Sequence, residues 1–216
     1  MDNVDYNYDS GVYLQKEKVM NRSIAFFDFD GTITKRDTFL EFIKFSKGNF
    51  RFYWGFLLNL PFIIAFKLGI ISNQLAKEKV LSFFFKGMEI SEFQKLGDTF
   101  SDQIIPALLR PKAIEEIEKH KLNGVVIVVV TASPENWVSK WVKSHDLRLI
   151  SSKLEIKDGL LTGKLQGLNC HSEEKTRMIR TNFQLEDYDY TYAYGDSAGD
   201  KPMLKLAKNS FYKPFR

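Results

Sequence analysis

The chain has 216 residues, of which 44% are hydrophobic and 27% charged, and this composition predicts one folded domain with room for an inserted subdomain. Its formal net charge of +4 comes without a basic stripe or an RNA-binding motif, so a nucleic-acid partner is not expected. The single cysteine, Cys170, excludes an internal disulfide and is typical of a reducing compartment, which predicts a cytoplasmic protein. Residues 1–20 are polar and aromatic without an apolar core, and we expect a flexible N-terminal arm rather than a secretory signal.

The first predicted strand, residues 24–27, is apolar and runs directly into Asp28, Phe29 and Asp30. Side chains alternate along an extended chain, so the carboxylates of Asp28 and Asp30 are predicted to face the same side of the strand end. Two convergent carboxylates beside an apolar strand are unfavourable unless a positive charge lies between them. A divalent cation together with a phosphoryl group would satisfy this arrangement, which predicts an enzyme of phosphate esters.

Residues 38–105 are predicted to be mostly helical and are too long for a simple crossover, which predicts an inserted cap. Within them, residues 52–71 contain only two clearly polar side chains, Asn59 and Lys67. A span of about 20 apolar residues is long enough to cross a bilayer, although two glycines and a central proline favour two shorter helices. Three interpretations stay open for this segment: buried cap core or a homodimer interface, docking on a membrane surface, and insertion into a membrane.

The middle of the chain predicts a central strand between two helices. Residues 112–122 form an amphipathic helical pattern, with Pro111 suited to its first turn. Residues 125–130 are six β-branched residues in a row, which is typical of a parallel strand covered on both faces. This strand is predicted to end at Thr131, and a second helix is expected to run from there to about residue 145.

The last third of the chain predicts a hairpin, a helix and one more strand. The hairpin is expected from residues 149–155 and 160–165, with a turn at Asp158 and Gly159. A helix is predicted over residues 173–182, and a strand over 190–194. That strand runs into the sequence Gly-Asp-Ser-Ala-Gly-Asp at 195–200.

Strands that alternate with helices predict an α/β fold, with a doubly wound, mainly parallel, Rossmann-like sheet and an inserted helical cap. In such sheets, sites form beyond the carboxyl ends of the strands, where the strand order changes direction. Asp28, Thr131 and Asp196 all follow predicted strands in this way. We therefore expect the three side chains to lie at one edge of the sheet.

The ordered set of an acidic pair, a strand-end threonine, a lysine and a second acidic pair resembles the haloacid dehalogenase superfamily of aspartate-nucleophile phosphatases. The residues that carry this resemblance are Asp28-x-Asp30-Gly31-Thr32, Thr131, Lys175 and Gly195-Asp196-x-x-x-Asp200. The separation of the first two motifs resembles subfamily IB, whose helical cap follows the first motif and which includes phosphoserine phosphatase. Residues 149–175 also resemble less characterised relatives, including a bacterial phosphatidylglycerophosphate phosphatase. The resemblance implies a core of residues 21–37 and 106–216 and a cap of residues 38–105.

The resemblance also implies a role for each motif. Asp28 would attack phosphorus to form an aspartyl-phosphate, while Asp30 would protonate the leaving oxygen and then deprotonate water. Mg²⁺ would be held by Asp28, the Asp30 backbone carbonyl and Asp196. Asp200 would orient Lys175 or metal-bound water. The residues implied for phosphate binding are Gly31, Thr32, Thr131, Ala132 and Lys175.

Substrate selectivity is expected from the cap. In phosphoserine phosphatases, a glutamate shortly after the first motif helps to hold the substrate amino group. Asp37 stands at that place here and is one methylene shorter. The cap offers no clear arginine for a substrate carboxylate beyond Arg51, with Lys77 and Lys79 as the other candidate cations. These departures weaken a phosphoserine assignment.

The leading prediction is therefore a Mg²⁺-dependent phosphomonoesterase that acts on a small phosphorylated metabolite. The alternative is a phosphatase of lipid phosphates that approaches the inner face of a membrane through residues 52–71. A catalytically silent binding module is a third hypothesis, from a different functional class. Transfer of the phosphoryl group to an alcohol also stays open, because it would use the same residues.

Overall fold

A parallel sheet forms the centre of the protein, and the computed structural model describes residues 22–216 of the chain. The predicted arm of residues 1–20 lies outside the described residues. The strands are β1 Ser23–Phe27, β2 Val126–Pro134, β3 Arg148–Ser152, β4 Leu154–Lys157, β5 Leu160–Leu165, β6 Tyr190–Gly195 and β7 Asn209–Tyr212. Five of them form one sheet in the order β3-β2-β1-β6-β7, and every neighbouring pair in it is parallel.

Helices cover this sheet and fill the segment that follows its first strand. They are α1 Thr38–Leu58, α2 Leu60–Lys67, α3 Asn73–Phe85, α4 Ile90–Gln103, α5 Ile105–Leu108, α6 Pro111–Leu122, α7 Glu135–Ser144, α8 Glu173–Asn182 and α9 Lys201–Leu206. The predicted α/β fold with a doubly wound parallel sheet and a helical insertion is confirmed. The division into a core and a cap at the predicted boundaries stays a prediction.

The central strand β1 positions the first acidic motif. It pairs with β2 on one side and with β6 on the other, and residues 24–27 are fully buried. The backbone N–H of Asp28 then donates to the carbonyl of Tyr194 at 2.9 Å, which continues the pairing one residue beyond the strand. The strand order changes direction beside β1, so Asp28 lies where ligands bind in open α/β sheets.

Two predicted strand boundaries are corrected by the structure. The strand expected to end at Thr131 continues to Pro134, with an irregular register after Thr131. The first arm of the hairpin, expected over residues 149–155, divides in two. Its first part is β3 of the main sheet, because Leu149 and Ile150 find parallel partners on β2. Its second part is β4, which pairs antiparallel with β5.

Phenylalanine side chains fill the space between the first helices and the sheet. The Phe42 ring on α1 lies between the rings of Phe93 and Phe100, with centroid distances of 5.2 and 5.4 Å, and it stacks on Trp137 at 4.5 Å. The β4–β5 hairpin joins the same layer, since the N–H of Gly87 donates to the Leu161 carbonyl at 2.8 Å. The abundance of phenylalanine in the first half of the chain therefore has a packing explanation.

The apolar segment 52–71 forms two helices, as its glycines and proline predicted. Helix α1 ends at Leu58 and α2 begins at Leu60. None of the helices that the structure describes has the length and apolar character that would let it cross a membrane. Burial in the cap core is wrong for most of the segment, because α2 has no buried residue and Leu68 and Ile70 are about 70% exposed.

Candidate active site

Three strand ends and one helix bring the predicted motifs together. Asp28 follows β1, Thr131 lies in β2 and Asp196 follows β6, while Lys175 enters from the first turn of α8. Carboxyl ends of parallel strands share one edge of a sheet, and α8 lies beside that edge. The residues predicted from sequence for the chemistry therefore occupy one place in the fold.

Lys175 links two of the buried carboxylates. Its Nζ donates to Oδ1 of Asp28 at 2.5 Å and to Oδ1 of Asp200 at 2.7 Å. All three residues are at most 5% exposed. A buried cation between two buried anions favours the charged form of each group and fixes all three in position.

Burial and charge shift the pKa values of this group in opposite directions. Burial raises the pKa of Asp28 to about 7, and the nearby Lys175 opposes the shift. Burial alone would lower the pKa of Lys175, but Asp28 and Asp200 outweigh it and leave that pKa raised. Burial would also raise the pKa of Asp200, yet its bonds to Lys175 and Ser197 leave it below its usual value. Asp28 is therefore the carboxylate whose charge is most sensitive to a nearby cation.

Asp30 accepts four hydrogen bonds that hold its carboxylate in one orientation. Oδ1 accepts from the backbone N–H of Thr38 at 2.7 Å and from its hydroxyl at 2.5 Å. Oδ2 accepts from the hydroxyls of Thr131 at 2.9 Å and Ser133 at 2.8 Å. The predicted phosphate ligand Thr131 is thus bonded to Asp30. Sequence reasoning missed Thr38 and Ser133. For Ser133 a signal was available, because Thr131 and Ser133 place two hydroxyl groups one residue apart at a strand end.

The loop after Asp28 requires a glycine. Gly31 has a φ of +87°, and a Cβ at this position would lie 2.6 Å from Oδ2 of Asp196. An L side chain would both strain the backbone and push that carboxylate away. The next residue, Thr32, has a buried hydroxyl with no hydrogen-bond partner among the described residues. The loop therefore brings the first and last motifs into direct contact.

The acidic residues fit a magnesium site. Asp28, Asp196 and Asp200 each offer an oxygen atom, and these three atoms lie within 4.8 Å of one another. Both oxygens of Asp200 already accept hydrogen bonds, one from Lys175 and the other from Asp196 N–H and Ser197. Asp28 and Asp196 are thus the better placed carboxylates, and hard oxygen donors are what Mg²⁺ prefers. Asp196 is paired with the guanidinium of Arg216.

The two residues predicted for substrate selectivity lie in different places. Asp37 lines the cavity above the carboxylates, but its Oδ1 accepts from the backbone N–H groups of Phe39 and Leu40 and begins α1. The Asp37 residue is exposed to solvent. Arg51 is exposed on α1 and does not line this cavity.

Lys77 is the cap cation that reaches the catalytic motifs. Its Nζ donates to the backbone carbonyl of Ala132 at 2.5 Å and to Oδ1 of Asn169 at 3.4 Å. Burial lowers the pKa of Lys77 to about 8, and the neighbouring Asp30 opposes the shift. His171 also lines the cavity, and burial lowers its pKa. No sequence pattern indicated His171, because it reaches the site from the loop before α8.

The model of the haloacid dehalogenase-like hydrolase family matches residues 25–205. The chain belongs to this family. It is 35% identical over 193 residues to the protein CicA of Caulobacter vibrioides, a match that covers 88% of this chain and 85% of that protein. The predicted resemblance and the prediction of an enzyme are both confirmed.

Two further similarities are more distant. The chain is 28% identical over 190 residues to a probable phosphatase of Mycobacterium tuberculosis, which covers 85% of this chain and 66% of that protein. A solved structure of a phosphoserine phosphatase, a phospho-aspartyl intermediate analogue, has a TM-score of 0.64 and 22% identity. That match covers 88% of this chain and 85% of the other chain, and it shows a shared fold.

Proposed function

We propose that the protein is a Mg²⁺-dependent phosphatase that hydrolyses phosphate monoesters through an aspartyl-phosphate on Asp28. The observation that supports this most strongly is the buried cluster of Asp28, Lys175 and Asp200 beside Asp196. A nucleophile, a cation for the phosphoryl group and metal-ligand oxygens are all present in it. A silent binding module would have no physical need for this combination.

In the first step, a carboxylate oxygen of Asp28 attacks phosphorus. The new bond joins Asp28 to phosphorus, and the bond from phosphorus to the ester oxygen breaks. Asp30 enters this step protonated and delivers that proton to the leaving oxygen, so that an alcohol departs; the water of the second step returns the proton. The four hydrogen bonds to Asp30 orient its carboxylate, and both hydroxyl groups on Oδ2 can change partner when the proton moves.

In the second step, water attacks phosphorus of the aspartyl-phosphate. Asp30 accepts a proton from that water, and the bond between phosphorus and Asp28 breaks. The products are inorganic phosphate and the free carboxylate of Asp28. An alcohol in place of water would yield a transfer reaction with the same balance of bonds and protons.

Charge is the main obstacle to attack, because Asp28 and a phosphate dianion repel each other. At 4 Å and an effective dielectric constant of about 20, each pair of unit charges contributes about 4 kcal/mol. Lys175 supplies one fixed positive charge at this point. Asp28 and Asp196 would hold Mg²⁺, which when bound supplies further positive charge beside the transferring group.

Hydrolysis of para-nitrophenyl phosphate tests the proposal. Wild type should release phosphate in the presence of MgCl₂ and stop when EDTA is added. Asp28→Asn should reduce kcat by about ten-thousandfold or more, as expected when a nucleophile is removed. Asp158→Asn is the matched control, because Asp158 is exposed in the β4–β5 turn at a positive φ that asparagine tolerates. Equal rates for wild type and Asp28→Asn contradict the nucleophile assignment.

A second candidate function is hydrolysis of lipid phosphates at a membrane surface, which specifies both the location and the substrate of the enzyme. Most side chains of α2 are exposed and most are apolar, which favours peripheral contact with the inner face of a membrane over a purely cytoplasmic enzyme. Lys44, Lys47 and Arg51 precede this surface and are suited to anionic headgroups. Sedimentation with anionic vesicles tests the contact. A homodimer through the same surface would instead appear in sedimentation velocity without lipid.

A further inference from the structure

A cavity of about 490 Å³ extends from the catalytic carboxylates into the helical cap. Its catalytic end is lined by Asp28, Asp30 and Lys175, where the proposed chemistry places a phosphoryl group. The remaining volume therefore surrounds the alcohol part of a substrate. The side chains of that part decide which alcohols fit.

The walls on the cap side are apolar. Helices α1, α2 and α3 contribute them, with Phe39, Phe56, Ile63, Phe66, Ala76 and Val80 as the apolar lining residues that matter here. Side chains of this kind offer no partner to the hydroxyl, amino or carboxylate groups of a polar metabolite. A polar alcohol would lose its bonds to water there without replacing them.

The polar groups that the cap contributes to this cavity are already engaged with the protein. Asp37 accepts from the backbone at the start of α1. Asn73 accepts from Nδ2 of Asn169 at 2.6 Å, and Lys77 donates to the Ala132 carbonyl at 2.5 Å. The bonds of Asn73 and Lys77 fix the cap to the core, and the bonds of Asp37 cap α1. The apolar side chains form the remaining cap surface that meets the alcohol.

The apolar lining continues to the outside of the molecule. Phe66 lines the cavity and is also 37% exposed, so it lies at the cavity mouth. Its neighbours on α2, including Phe62 and Ile64, are exposed apolar side chains. A ligand chain longer than the cavity would meet apolar surface as it leaves.

We infer that this cavity is a binding subsite for an apolar chain, so that the substrates are phosphate monoesters of long-chain alcohols. This inference rests on the proposed phosphatase function and specifies its substrate class. Each methylene group that enters the cavity should raise kcat/KM by about fourfold, which corresponds to roughly 0.8 kcal/mol for a buried methylene. The increase should stop when the chain has filled the cavity.

A chain-length series tests the inference. The full-length enzyme with Mg²⁺ is given n-alkyl phosphates from ethyl to decyl, each dissolved below the concentration at which it forms micelles, and phosphate release gives kcat/KM. We expect kcat/KM to rise by at least about a hundredfold along the series. A flat or falling series overturns the inference, and this measurement requires no variant.

Two neighbouring positions on α2 provide a matched pair of variants. Ile63 lines the cavity, whereas Ile64 is 47% exposed and does not line it. Ile63→Asp should lower the ratio of decyl to ethyl kcat/KM by tenfold or more, because it puts a charge beside the chain. Ile64→Asp should leave that ratio at the wild-type value. Equal ratios for the two variants contradict the subsite.

The source of the chain is tested separately. The decyl ester is presented either dissolved or embedded in vesicles, to wild type and to Ile64→Asp. If Ile64→Asp hydrolyses the embedded ester more slowly than wild type but the dissolved ester equally fast, the source is a membrane. If the two proteins hydrolyse both forms at equal rates, the source is a dissolved ester. Both results are consistent with the apolar subsite. A chain-length preference seen only in vesicles overturns it. If wild type does not hydrolyse para-nitrophenyl phosphate, the proposed function itself fails, whereas activity with a flat series rejects only the apolar subsite.

Discussion

The floor of the active site and the cap above it are built by opposite rules. In the floor, Asp28, Lys175 and Asp200 are buried charges whose partners are other charges in the same cluster. In the cap, phenylalanine and leucine side chains pack against one another, line the cavity or face solvent. The floor therefore depends on the identity of each residue, and the cap depends on apolar character and shape. Predictions that remove a floor residue should have larger effects than those that change the contact between cap and core.

After the loss of the nucleophile in Asp28→Asn, the largest effect is expected for Lys175→Met, which leaves the carboxylates of Asp28 and Asp200 buried without their cation. We expect kcat for para-nitrophenyl phosphate to fall by about a thousandfold, because a fixed charge beside the transferring phosphoryl group is lost. The free energy of unfolding, measured with urea in EDTA, should fall by about 3–5 kcal/mol, as is typical when one partner of a buried pair is removed.

Lys164→Met is the control for this variant, because Lys164 is exposed on β5. Its unfolding free energy should stay within about 0.5 kcal/mol of wild type. A Lys175→Met protein as stable as this control would mean that the floor tolerates unpaired charge. The contrast between floor and cap would then be lost.

The next largest effect is expected for Gly31→Ala, which tests whether the first and last motifs must touch. The new Cβ would collide with the Asp196 carboxylate, and a displacement of about 1 Å in a catalytic group lowers kcat by roughly a hundredfold. Gly159→Ala is the matched control, since Gly159 has a similar φ of +76° with no atom near the added Cβ. Loss of activity in both variants to the same extent would show that backbone strain alone is responsible.

The floor could be predicted from sequence because its chemistry restricts the residue types. Carboxylates suit a metal and a lysine suits a dianion. Asp28, Lys175 and Asp196 were identified before their positions were known, because their ordered motifs resemble those of the family. The parallel arrangement of the sheet followed from the alternation of strands with helices. Thr38 and Ser133 were missed because hydroxyl groups serve many roles, and only the fold shows that both bond to Asp30.

The cap could be predicted as helical but not in detail. Residues 52–71 were recognised as two helices, yet the sequence left their environment open because an apolar side chain suits a core, an interface or a cavity equally. Strand β3 was assigned to the hairpin because its pairing with β2 is set by residues distant in sequence. Long-range pairing and exposure are decided by tertiary packing, which local patterns do not contain.

A smaller effect is expected at Lys77, where cap and floor meet. Burial lowers the pKa of Lys77 to about 8 in the folded protein, whereas an unfolded lysine releases its proton near 10.5. Between these two pH values the unfolded chain binds more protons than the folded one, so the contribution of Lys77 to the free energy of unfolding should rise with pH. Urea unfolding of wild type and Lys77→Met from pH 7 to 10.5 measures this contribution as a difference. A difference that is constant with pH would mean that Lys77 is hydrated rather than buried between cap and core.

The smallest effect is expected at the rim of the floor, where Arg216 pairs with Asp196. This arginine side chain is 47% exposed, so solvent screens the pair and about 1 kcal/mol is the upper limit of its strength. Because the same carboxylate is proposed to bind Mg²⁺, the two cations compete, and Arg216→Gln should lower the Mg²⁺ concentration for half-maximal activity by up to about fivefold. Arg177→Gln is the control, since it removes an equal charge from the exposed pair with Glu174. A higher Mg²⁺ requirement in Arg216→Gln than in this control would contradict competition. It would show instead that the arginine positions Asp196 for the metal, and Arg216 would then belong to the floor of the active site.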